Sequence, residues 1–207
     1  MRSHCYTCLM PKVVNVAEHK ARIAAAVWRL VAGRGLDAVS LRSVAAEAGV
    51  SMGQVQHYFA TKNDLLYAGV QHSYLLIEQE LEKQLSTQSS SPKDWMLAIL
   101  FLLLAGDSVV RDAIRVNVAF GARTQNETRI RELLTDGDDE IKELCAGVIA
   151  AGQESGHLSS DLDPHREARV LFALATGLGT EVAVYGGSSE GAEATFRYYV
   201  ERLGLMP

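Results

Sequence analysis

An all-α fold is predicted for this chain, and three observations predict it. Apolar residues recur at three- and four-residue steps rather than in alternation. No proline falls between Val13 and Gln88. Glycines and capping residues punctuate the periodic stretches in the order helix stop, then helix start. The 207 residues, 48% hydrophobic and 22% charged, exclude wholesale disorder and suffice for a sizeable core. About nine helices are expected, as a three-helix N-terminal domain over 12–62 and a helical C-terminal domain over 63–207, behind a flexible arm at 1–11.

Each element has its own local cause. Val16, Ile23, Val27, Leu30 and Val31 mark one face of a first helix, which Gly33 and Gly35 stop. Ser40 is the N-cap of a short helix over 41–48, with Leu41, Val44, Ala45 and Ala48 inward and Gly49 at its end. Ser51 caps a third helix over 52–59, and Thr61 or Asn63 caps a long fourth helix to about Leu85. The polar run 86–92 is a linker. Apolar helices follow at about 93–106, 108–123 and 127–156. Asp163-Pro164 restarts a helix that runs to about Tyr185. After Gly186-Gly187, Ser189 caps a last helix to about Leu203. The first eleven residues lack periodicity and end at Pro11, hence the arm.

Composition narrows the function. Three cysteines (Cys5, Cys8, Cys145) are too few for a disulfide framework and point to a reducing, cytoplasmic compartment. The longest apolar run, 95–106, has twelve residues, against the about 20 that a spanning helix needs. No apolar stretch of the secretory kind follows Arg2, so no membrane partner is expected. Neither a nucleophile elbow, a phosphate loop nor a metal-ligand motif is present, so no enzyme, cofactor or metal is expected. The pair Cys5 and Cys8 beside His4 has no second ligand pair. The acids Asp136, Asp138, Asp139, Glu140 and Glu143, and the group His157, Asp161, Asp163 and His165, read as caps and solvated faces.

Charge is divided along the chain. The net −5 hides a basic N-terminal end, residues 1–62, with eight Lys/Arg against three acids; residues 63–207 carry twelve against 22. A basic end on an acidic body suits a protein that presents that end to a polyanion.

The informative stretch is 40–59, SLRSVAAEAGVSMGQVQHYF. Two short helices flank a glycine turn (Ala48-Gly49-Val50-Ser51), the pattern of a helix-turn-helix. Ala45 and Gly49 are small where the helices cross, and Val44, Val50 and Val55 supply packing. The second helix is polar for its length: Ser51, Gln54, Gln56 and His57 offer donors and acceptors, and a helix of that width fits a DNA major groove.

These features give residues 16–66 a specific resemblance to the DNA-binding domain of the TetR family of transcriptional regulators. It is carried by Arg22, Ile23, Ala25 and Ala26, then Gly35 and Ser40, then Val44-Ala45, Ala48 to Gly53, Tyr58-Phe59, Thr61-Lys62 and Asp64-Leu65-Leu66. The resemblance implies that Ser40, Arg42, Ser43, Tyr58 and Lys62 meet backbone phosphates. It implies that Ser51, Met52, Gln54 and His57 face the groove and that Phe59 is buried. Gln54 is the best candidate base reader, since glutamine pairs bidentately with adenine. The chain departs from the family at Gln56, where a tyrosine touching phosphate is usual; a glutamine can still donate there.

The rest of the chain is expected to sense and to dimerise. The small-residue helix with Ala173, Ala175, Gly177, Gly179 and Ala183, and the last helix with Phe196, Tyr199, Val200 and Leu203, are the expected homodimer face. Trp95, Leu102, Asn117, Phe120, Phe172 and Thr176 combine apolar walls with a few hydrogen-bonding groups and are the expected ligand pocket. The scarcity of charge in the apolar segments favours an uncharged or hydrophobic effector. The reading is a ligand-responsive, operator-binding transcriptional regulator, a repressor released by a small molecule. The competing reading is a helical protein-interaction module without DNA binding.

Overall fold

The computed structural model describes residues 16–85, 91–121 and 127–206. The expected arm, with Cys5 and Cys8, lies outside them, as does the 86–90 part of the linker. Among the described residues there are nine α-helices and no strand: α1 (Val16–Arg34), α2 (Leu41–Ala48), α3 (Met52–Tyr58), α4 (Lys62–Leu85), α5 (Pro92–Leu102), α6 (Ser108–Gly121), α7 (Thr128–Glu154), α8 (Pro164–Tyr185) and α9 (Ser189–Arg202). A 3₁₀ turn at Leu36–Ala38 joins α1 to α2.

The starts follow from side-chain caps. Ser40 and Ser51 each accept from the backbone N–H three residues on, and Ser43 and Gln54 return the bond, completing two capping boxes. Thr61 rather than Asn63 caps α4: its Oγ1 accepts from Asp64 N, and Asp64 answers by accepting from Thr61 N. Asp163 caps α8 ahead of Pro164. The cap of α9 is Ser188, not Ser189, because Ser188 Oγ accepts from Gly191 N at 3.1 Å. Helix α5 stops at Leu102, four residues before the expected end. Ala105 takes a left-handed φ of 61°, which breaks an apolar run that continues in sequence.

Two cores share the chain. The first joins α1 to α4 through Ile23, Val27, Val44, Val55, Leu65 and Val70, and reaches Val116 and Phe120 of α6 and Ile130 of α7. The second packs α5, α7, α8 and α9 around Met96, Leu100, Ile149, Leu171, Phe196 and Val200. Helix α7 therefore belongs to both halves, and α6, a member of the first core, also packs against α8 of the second. Gly69 lets α1 and α4 touch, since a Cβ there would lie 2.7 Å from Val27 Cγ1. Gly49 fills the turn role expected of it and not the close-crossing one. It contacts nothing that a Cβ would meet, and its role is the left-handed turn that ends α2, at φ 63°.

The expected dimer face divides in two. Ala175, Gly179, Ala183, Phe196 and Val200 are buried within their own chain, while Ala173 and Gly177 are exposed. Val170, Val184, Tyr185 and Tyr198 are large apolar groups left in the open on α8 and α9. By length and composition α8 could cross a bilayer, but it packs against α6, α7 and α9.

Candidate nucleic-acid interface and small-molecule cavity

Helix α3 stands on one buried side chain. Val55 is 0% exposed, whereas Ser51, Met52, Gly53, Gln54, Gln56 and His57 are all exposed. A helix that buries one residue in seven, half-buries Tyr58 and turns the other five outward is a probe. Its far end is held by Phe59, buried as expected, whose N–H donates to Val55 O at 2.9 Å. Around it, Arg42 at the second position of α2 and Lys62 at the first position of α4 are exposed, as is Ser40. Lys62 shares that position with the positive end of α4, where an anion is favoured.

Several expected contact residues carry structural duties as well. Ser43 is half-buried; its hydroxyl donates to Ala38 O at 2.6 Å and accepts from Ser40 N at 2.9 Å. That hydroxyl proton is committed, so Ser43 positions the start of α2 rather than offering a free donor. Gln54 Oε1 accepts from Ser51 N at 3.0 Å. Pairing with adenine requires this amide to swing off its own helix start, while its NH₂ already points away from that bond. Arg29, one of the basic residues of this end, is tied to Glu47 at 2.7 Å and braces α1 against α2.

Tyr58 sits between two imidazoles, stacked on His19 at 5.8 Å and edge-on to His57 at 5.1 Å. His19 in turn lies 3.4 Å from Arg22. Sequence reasoning missed His19 as part of this surface; the signal was its place one turn before Arg22 on the exposed side of α1.

The second feature is a half-open cavity of about 500 Å³ lined by α4, α5, α6, α7 and α8. Leu102, Asn117, Phe172 and Thr176 line it together. Trp95 and Phe120 do not. On α5 the inward register belongs to Met96 and Leu100, which leaves Trp95 in the open; Phe120 shares the inward register of Val116 and is sealed in the N-terminal core. The apolar wall comes from Ile77, Leu81, Ile99, Ile114, Leu134 and Ile141. Its polar groups are mostly acceptors. Thr176 and Thr180 spend their hydroxyl protons on Phe172 O and Thr176 O, both at 2.8 Å. Asn117 Oδ1 accepts from Ser73 Oγ at 2.8 Å.

Three carboxylates, Glu78, Asp138 and Glu140, border the cavity, and no Lys, Arg or His does. This differs from the uncharged lining that composition favours. Burial pushes the Asp138 carboxyl up to about 6, against a smaller opposing pull from Lys142 and a push from Asp139. Burial, then the Asp138 charge, also raises the Tyr74 phenol, whose hydroxyl donates to Leu134 O at 3.4 Å. Among the described residues no three His, Cys, Asp or Glu side chains gather as a metal site.

Helices α4 and α7 connect the two features. Both wall the cavity, and their N-termini are tied beside α3. The Arg129 guanidinium lies 3.9 Å over the Tyr67 ring and 3.4 Å from Asp64, and the Asn63 amide donates to the Glu127 carboxylate.

Both the N-terminal and the C-terminal part of the chain match known families. Residues 23–68 match the family described as bacterial regulatory proteins, tetR family. Residues 92–205 match the family described as BetI-type transcriptional repressor, C-terminal. The chain is 29% identical over 172 residues to the HTH-type transcriptional regulator PksA of Bacillus subtilis, covering 82% of this chain and 80% of that one. It is 29% identical over 187 residues to the HTH-type transcriptional regulator BetI of Pseudomonas paraeruginosa, covering 89% and 91%. A putative transcriptional regulator from Saccharomonospora viridis, solved in complex with choline, superposes with a TM-score of 0.78 at 26% identity over 89% of this chain and 96% of that one. The matched families and these relatives are regulators, not enzymes.

Proposed function

The chain belongs to the TetR family of transcriptional regulators, and on that premise we propose that it is a homodimeric, cytoplasmic repressor whose grip on its operator is released by a small molecule in the α4–α8 cavity. The observation that carries this reading is the continuity of α4. One end presents Lys62 beside the probe helix α3; its middle, from Tyr74 to Leu81, walls the cavity. An occupant that shifts the middle of a rigid helix shifts its end. In a two-fold dimer that changes the separation of the reading helices, which must match half-sites about 34 Å apart or a multiple of it.

The roles of single residues are part of the same proposal. Arg42, Tyr58 and Lys62 serve as phosphate contacts, and Ser51, Met52, Gln54 and His57 as the groove-facing set, with Gln56 as a donor to phosphate. The exposed apolar groups Val170, Val184, Tyr185 and Tyr198, flanking the small Ala173 and Gly177, make the proposed dimer face of α8 and α9. The choline-bound relative supports reading the cavity as an effector site.

The test is selection of bound genomic fragments by the purified chain, followed by mobility shift at rising salt. Binding should weaken steadily with salt, and Lys62→Ala should weaken it for all bound fragments alike and flatten the log–log salt slope by about 1. If no genomic DNA gives a salt-sensitive shift, the protein-interaction module is the better description.

A further inference from the structure

We propose that Ser73 and Asn117 form a hydrogen-bond relay through which an occupant of the cavity acts on α4. This rests on reading the cavity as the effector site and adds the residues that carry its signal out. Asn117 is the group that meets the occupant, and Ser73 is a positioning residue behind it. Three features of the structure carry the relay.

The first is place. Among the described residues Ser73 is the one buried polar side chain, at 0% exposure. Along α4, Val70 is the last fully buried member of the N-terminal core, and Tyr74 is the first residue to line the cavity. Ser73 stands at that junction. Opposite it on α6, Asn117 lines the cavity, while Val116 and Phe120 are sealed in the N-terminal core.

The second is the proton count. Ser73 Oγ lies 2.7 Å from Val70 O and 2.8 Å from Asn117 Oδ1, and a hydroxyl has one proton to give. When the proton goes to Asn117, the amide keeps its oxygen on Ser73 and leaves its NH₂ to the cavity. When it goes to Val70 O, the amide turns over: the NH₂ donates to Ser73 Oγ, and the amide oxygen is left to the cavity. Either arrangement satisfies the buried hydroxyl. An occupant that offers an acceptor selects the first, and one that offers only a donor selects the second.

The third is the mechanical consequence. A serine that donates to a carbonyl of the preceding turn competes with the helix ladder and bends it. The first arrangement releases Val70 O, and the second engages it. Lys62 lies about 16 Å up the helix from Ser73, so a bend of about 5° there carries it by roughly 1 Å.

The experiment measures operator affinity of the full-length chain at saturation with three bicyclic probes of one size, whose binding is first established by calorimetric titration. They are 1-indanone, which accepts only, indole, which donates only, and indane, which does neither. Operator affinity of the natural chain should differ at least threefold between 1-indanone and indole, with indane in between. Ser73→Ala has no proton to pass and Asn117→Leu has no amide to turn, so both should erase that difference. A merely structural serine would shift all three values alike and leave the difference in place. That result, or 1-indanone and indole acting alike on the natural chain, overturns the relay and leaves the effector-site reading standing. If the probes bind and none of them changes operator affinity, both fall. If none binds, ligand-free Ser73→Ala decides: losing the bond to Val70 O should shift operator affinity at least twofold, and an unchanged affinity overturns the relay.

Discussion

Asp138→Asn is the perturbation whose size follows most directly from the structure. The native carboxyl is held at about 6 against an ordinary 3.8, chiefly by burial at the cavity wall. A raised acid favours folding while it is protonated. Well below pH 3.8 the folded and unfolded chains both hold the proton, and the ionisation penalty is absent; at pH 4 only a small part of it has developed. Between pH 4 and 6 the unfolded chain gives up its proton before the folded one does, so stability falls as pH rises. Above 6 the penalty is fully developed. A rise from 3.8 to about 6 corresponds to about 3 kcal/mol at full linkage. Asp138 is only partly buried, so solvent screening reduces this to on the order of 1–2 kcal/mol. Urea unfolding at pH 4, 5, 6 and 7.5 measures it. The asparagine variant should gain on the natural chain by that amount between the lowest and highest pH, with the gain confined to the window between. A difference that is flat across the series, or that shrinks with rising pH, would refute the claim that burial at the cavity dominates this group.

Three further outcomes are expected. Gly179→Ala places a Cβ 1.8 Å from the backbone oxygen of Leu103, where no side chain can yield. It should cost ~3 kcal/mol, or roughly 6–12 °C in a thermal melt; a loss under about 2 °C would mean that α8 does not sit this close. Ser51→Ala removes the cap of α3 and the anchor of Gln54, and should lower stability by about 1 kcal/mol in denaturant titrations while weakening operator binding. Arg129→Ala loses an exposed ion pair and a ring contact, together about 1 kcal/mol. Folding should barely change, but operator affinity should change up to about fivefold as α7 loses its hold on α4; an unchanged affinity shows that α7 does not set the position of α4.

Much of the architecture is legible in the chain because helix starts and stops are local chemistry. Ser40, Ser51 and Asp163 cap what they are expected to cap, each through a bond spanning three residues. Reading fails where adjacent residues are chemically equivalent or where tertiary packing decides. Ser188 and Ser189 are both competent caps. Nothing local tells Leu103 and Leu104 that they lie beyond α5 rather than inside it. The cavity is harder still. Leu102, Asn117, Phe172 and Thr176 come from three helices distant in sequence, and only packing separates them from Phe120, an equally apolar ring on the other face of α6. Asp138 is partly legible after the fact. It falls on the stripe Leu134, Gly137, Asp138, Ile141, so this member of an acidic run that otherwise reads as a solvated face lies on the apolar side of α7, and Glu140 of the same run borders the cavity too.

The uneven charge of the chain takes on a spatial meaning along α4. Its N-terminus, where unpaired N–H groups carry partial positive charge, bears Lys62 beside α3, at the end where the basic residues of 1–62 gather. Four turns on, the same helix presents Glu78 to a cavity that α7 supplies with two more carboxylates. A polyanion is thus drawn to one end of a single rigid element and repelled from the other. The opposite charges at the two stations of one helix keep DNA out of the cavity. They also make the helix position, rather than direct competition, the quantity through which one ligand affects the other. That is why Arg129 is the informative variant: it touches neither ligand's site, and it holds α7 to the part of α4 nearest the DNA.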